Sequence, residues 1–91
     1  MNVFVATVNF DDTVATSISI VSRDTGDTIS VNASREVVLA TGAAHTPQIL
    51  QLSGIGPRNL LESLDIDLVV DLPGVGANFQ DHLSISTAWS C

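Results

Sequence analysis

Ninety-one residues hold one domain at most, and a chain this short buries only about 60–65% of its extended surface. Apolar residues make up 45% but aromatics only 4%, so the core must be aliphatic and thin, as suits part of a larger protein. Three Arg, no Lys and ten acids give a net charge of −7, which argues against nucleic acid and anionic membranes as partners.

The N-terminus, Met1 to Val8, has no basic residue before its apolar stretch, and Asp11-Asp12 closes that stretch early. This pattern argues against a signal peptide and rules out a membrane span there, and nothing further along the chain is long and apolar enough to form one. Cys91 is the only cysteine, so there is no disulfide framework and no cysteine-based metal site.

Residues 3–10 are rich in β formers and end at the turn signal Asp11-Asp12, which predicts a strand. Residues 14–21 alternate, with Val14, Thr16, Ile18 and Ile20 on one face and Ala15, Ser17, Ser19 and Val21 on the other. That is the period-two pattern of a half-buried antiparallel strand. A polar loop through Gly26 follows, and residues 28–33 alternate again, with Ile29, Val31 and Ala33 on one side. Three strands with short connections predict a meander.

After Ser34-Arg35-Glu36 the alternation stops. Val37-Val38-Leu39-Ala40-Thr41 is an unbroken run that suits a strand buried on both faces, as in a parallel sheet. Its neighbours are not in these residues, so the sequence is expected to be incomplete. The run ends at Gly42, after which Thr46 fits an N-cap and Pro47 a first helical residue, with a short apolar helix running to Ser53-Gly54. A strand, a small-residue turn and a helix start make a place where a phosphate or ribose can sit. Pro57 then opens a second helix over residues 58–64, with Leu60, Leu61 and Leu64 on one face, and residues 66–72 return to extended structure before the turn-rich Pro73 to Asn78.

With these residues laid out, the chain resembles the glucose-methanol-choline (GMC) flavin oxidoreductases. Gly42 to Gly56 is similar to the family's second signature: a small-residue turn, Thr46-Pro47, the aliphatic pair Ile49-Leu50, then Ser53-Gly54-Ile55-Gly56. Ala33 to Ala40 and Asp71 to His82 agree as flanking blocks, and a looser match extends back to Val5. The resemblance implies FAD as cofactor and oxidation of a CH-OH donor such as an alcohol, sugar or choline. It implies an α/β fold of the FAD/NAD(P)-binding type, in which residues 1–91 are a partial FAD-binding domain: the meander, a buried parallel-sheet strand and two short helices. The family's glycine-rich βαβ fingerprint does not occur here, nor does its late catalytic His. These residues alone are therefore expected to catalyse nothing.

The resemblance assigns cofactor contact to Val5, through its backbone, and to Thr41, Gly42 and Ala43, where small residues leave room for the adenosine half of FAD. No catalytic or metal-binding residue is assigned. His45 falls at a position the signature leaves variable, and its plain reading is a polar residue near a helix start. His82 follows Asp81, which could orient a general base, but adjacent residues on an extended chain point to opposite faces. Asp65, Asp67 and Asp71 lack the glycine and terminal Glu of a calcium loop and read as a solvated face. Two functions stand at this point: a flavin-binding segment of an FAD-dependent alcohol oxidoreductase, or a truncated non-catalytic product, unstable or serving as an acidic β-rich binding module.

Overall fold

The computed structural model describes residues 3–90. β1 (Val3–Asp11), β2 (Val14–Ser22) and β3 (Thr28–Asn32) form an antiparallel meander in the order β1-β2-β3. Asp12 turns the first hairpin with φ of 57°, a left-handed conformation that Asp tolerates better than most residues. The second hairpin is closed by two backbone bonds of 2.9 Å, Ser22 N–H to the Asp27 carbonyl and Gly26 N–H to the Ser22 carbonyl.

Alternation sorts the sheet into two faces. Val8, Ile18 and Val31 stand in cross-strand register, as do Ile20 and Ile29, while Asn9 and Thr7 pair with Ser17 and Ser19 on the other face. There the Asn9 amide donates to Ser17 Oγ at 2.9 Å and to Ser19 Oγ at 3.0 Å, which satisfies the buried Ser17 hydroxyl. Cross-strand polar and apolar pairs of this kind fix the register, because a one-residue slip would exchange the faces.

Residues 37–41 form no strand, which corrects the expectation of a buried parallel strand at that place. Val37 and Leu39 are half-buried, Ala40 and Thr41 are exposed, and Val38 is 75% exposed. The physical reason is pairing: a run of β formers becomes a strand only beside a neighbour whose backbone groups it can bond. Among the described residues nothing offers that neighbour.

α1 (His45–Leu52) starts two residues before the expected position, with Ala44 at the N-cap and no side chain capping it. Thr46 is inside the helix instead of capping it. Its N–H reaches the Gly42 carbonyl at 3.0 Å, and its hydroxyl accepts the Thr41 N–H at 3.1 Å, so the turn is closed from within. Two short strands, β4 (Ile55–Gly56) and β5 (Val70–Asp71), pair in parallel around α2 (Arg58–Ser63). The expected strand over 66–72 is thus reduced to two residues, because β4 is only long enough to pair with that many. Leu61 carries the packing of α2 with no exposed surface, whereas Leu60 and Leu64 on the expected apolar face stay open to solvent.

The buried apolar residues among those described are Val8, Ile20, Ile49 and Leu61. The accessible surface of 7131 Å² exceeds the roughly 5,000 Å² expected of a self-contained monomer of this mass. The radius of gyration of 17.0 Å likewise exceeds the roughly 12 Å of a compact domain of this length. The exposed surface includes Leu83, Ile85 and Trp89 of the C-terminal stretch, each at least 80% exposed. No helix among the described residues is long and apolar enough to cross a membrane.

Candidate functional site

β1 is an outer strand of the meander, and α1 packs against it. Between them lies an open cleft of about 900 Å³. One wall is β1 from Phe4 to Thr7. The register of β1 on β2 shifts between Val5 and Thr7, leaving Ala6 as the extra residue of a β-bulge on this wall. The facing wall is one side of α1, where His45, Gln48, Ile49 and Leu52 fall at helical spacings of three and four. Thr41 closes one end, and Arg23, just past the end of β2, brings a cation to the lining, with its guanidinium 5.8 Å from the centre of the Phe4 ring.

The cleft therefore has an aliphatic and aromatic floor with hydroxyl, amide, imidazole and guanidinium groups around it. Its volume is in the range of small-ligand sites, which are mostly apolar with a few placed polar groups. A planar heteroaromatic base with a polar sugar fits such a lining. A whole dinucleotide needs further walls, and a pyrophosphate needs the cradle of backbone N–H groups that a glycine-rich turn supplies.

Of the residues expected to contact cofactor, Val5 and Thr41 come together in this cleft from positions 36 apart in the chain. Gly42 and Ala43 do not line it. Gly42 has φ of 95°, a conformation that favours glycine, and its carbonyl accepts the Thr46 N–H, so its part is to turn the chain between Thr41 and α1. Ala43 lines a separate hollow of about 400 Å³ with Pro47, Gly76 and Phe79. His45 lines the cleft from the exposed start of α1. His82 lies outside the cleft, and its backbone N–H bonds the Asp81 carboxylate at 2.8 Å, a local turn contact. Asp71 is engaged with Arg58, accepting its backbone N–H at 3.1 Å and facing its guanidinium at 3.6 Å.

Sequence reasoning missed Arg23 and Gln48 as lining residues of the cleft. Gln48 was legible in the spacing of 45, 48, 49 and 52, one face of a helix. Arg23 was legible only as one of three cations placed at a strand end.

Residues 2–84 match the family model described as GMC oxidoreductase. An oxygen-dependent choline dehydrogenase of Pseudomonas putida is 46% identical over 84 residues, which cover 92% of this chain and 15% of that protein. The dehydrogenase xptC of Emericella nidulans is 52% identical over 78 residues, 86% of this chain and 12% of that one. Among solved structures, a fungal aryl-alcohol oxidase superposes with a TM-score of 0.83 at 38% identity, covering 87% of this chain and 13% of that one. An FAD-dependent oxidoreductase from Chaetomium thermophilum gives 0.76 at 44% identity, covering 80% and 13%. The chain thus spans about 15% or less of the length of these relatives. FAD is the cofactor that goes with this match. The chain belongs to the GMC oxidoreductase family.

Proposed function

We infer that this chain is the part of a GMC FAD-binding domain that holds the adenosine half of the flavin nucleotide, in an oxidoreductase acting on the CH-OH group of an alcohol, sugar or choline-type donor. The observation that carries this reading is the convergence of Val5 and Thr41 on one cleft. The backbone beside Val5 offers polar groups to the edge of an adenine, as Ala6 is bulged out of the β1–β2 ladder. Thr41 and Gln48 supply groups for a ribose, and Phe4, Ile49 and Leu52 supply the apolar surface on which a base rests. When bound in the complete protein, FAD supplies the two-electron acceptor for hydride. The chain's own contribution is to bind and orient the end of the cofactor remote from that chemistry.

The test is calorimetric titration of the chain with ADP, FAD and FMN. ADP and FAD should bind with similar affinity and FMN should not, because FMN lacks the adenosine. Binding of FMN equal to ADP would move the site to another part of the cofactor.

The second reading, a chain without catalytic activity of its own, is favoured by the surface excess and by the exposed Val38, Leu83, Ile85 and Trp89. The two readings separate by assay. A flavoprotein segment binds ADP yet turns over no alcohol alone, whereas an unstable product binds no nucleotide and is digested rapidly by protease.

A further inference from the structure

We propose that Ser53 is the positioning residue of the cleft, a single-hydroxyl latch that sets the spacing between β1 and α1 and so the nucleotide affinity. The assignment rests on the adenosine reading of the cleft. Ser53 is the first residue after α1 and is half-buried. Its hydroxyl donates to the Ile49 carbonyl at 2.6 Å. With its one hydrogen committed there, the oxygen turns its lone pairs outward and accepts the backbone N–H of Val8 at 2.8 Å. Val8 itself is 5% exposed, so its N–H has no ready water to replace the serine.

The place of this bond in the fold gives it more than a local role. The main cleft is lined by β1 up to Thr7 and by α1 up to Leu52. The residue that follows on each side, Val8 in β1 and Ser53 just after α1, lines a second hollow of about 350 Å³, and Leu52 is shared by both. The latch therefore stands at the boundary between the two hollows, where the walls of the main cleft meet. Residues 45 apart in sequence are joined there through one oxygen atom. Loss of that oxygen frees α1 to shift along or away from β1, and the separation of Val5 from Gln48 and Ile49 across the cleft is no longer fixed.

The experiment measures ADP affinity of the chain at 10 °C, together with amide hydrogen exchange at Val8, for wild type, Ser53→Ala, Ser53→Cys and Ser53→Thr. Ser53→Ala is expected to weaken ADP about tenfold, the scale of one part-buried hydrogen bond left unmade, and to speed exchange at Val8. Ser53→Thr keeps the hydroxyl and should stay within about twofold of wild type. Ser53→Cys preserves the shape with a weaker acceptor and serves if the alanine variant does not fold; it should fall between the two. Unchanged ADP affinity in folded Ser53→Ala or Ser53→Cys overturns the assignment, since a role in stability alone lowers the melting temperature without altering affinity well below it. Wild-type chain that binds no ADP overturns the adenosine reading instead, and exchange at Val8 still decides whether the latch exists.

Discussion

Replacing Gly54 by Ala is expected to cost far more than the same change at Gly42, although both glycines have left-handed φ, 90° and 95°. Forcing an L residue into that region costs about 1–2 kcal/mol at either site. At Gly42 a β-carbon would meet nothing within 4 Å, so the conformational cost is the whole cost. At Gly54 the added carbon runs into the Asp67 carbonyl and comes to 2.9 Å from Val69 Cγ2. The obstructing wall is partly backbone and cannot rotate aside. The Gly54 carbonyl also accepts the N–H of Val69 at 2.8 Å and of Val70 at 3.2 Å, so moving the segment away breaks the contacts that hold β5 beside β4. Overpacking of this kind adds about 1–3 kcal/mol, for a total of about 2–5 kcal/mol. Urea unfolding followed by circular dichroism measures both variants, and the midpoint of Gly54→Ala should fall at least twice as far as that of Gly42→Ala. Equal losses would show that the 66–70 segment does not press on Gly54, and the close β4–β5 packing would be refuted.

Three other changes probe the remaining parts. Leu61→Ala removes the fully buried side chain of α2 and should cost about 2–4 kcal/mol in the same urea assay, whereas Leu60→Ala, at a residue 39% exposed, should cost under about 1 kcal/mol. Arg23→Gln should weaken ADP a few-fold at low salt and have little effect at 0.5 M salt, because an exposed cation acts on a phosphate through a screened field; calorimetry at two ionic strengths checks this. Val38→Lys should leave the melting temperature of the isolated chain within about 4 °C of wild type, as the site is 75% exposed, which differential scanning calorimetry reads directly.

The meander was legible because its information is local. Alternation in 14–21 and 28–33 sets two faces, and Asp11-Asp12 and Gly26 mark the turns, so β2 and β3 fall within a residue or two of expectation. The run from Val37 to Thr41 was misread in state but not in character. Its composition describes an environment that neighbouring strands create, and among the described residues no strand pairs with it. The start of α1 moved because Thr46 can satisfy the Thr41 N–H from inside the helix as readily as it could cap the helix from outside. β4 left no pattern to see, as two residues hold a single period of alternation, whereas β5 falls inside the extended stretch expected over 66–72.

The site divided along the same line. Val5 and Thr41 were expected at the cofactor from the family resemblance, and the fold brings both to the lining of one cleft. The roles of Gly42 as the turn and of Ala43 as part of a different hollow needed the path of the chain in space. Arg23 and Ser53 act across 19 and 45 positions, on Phe4 and Val8, distances over which no periodicity in the sequence reports.

The most direct measurement is the map of backbone amides perturbed when isotopically labelled chain is titrated with ADP. Shifts confined to Val5, Ala6, Thr41, Gln48 and Ile49, saturating together with one dissociation constant, are the predicted result. Shifts centred on Ala43, Gly76 and Phe79, or none at saturating ADP, would contradict an adenosine site between β1 and α1.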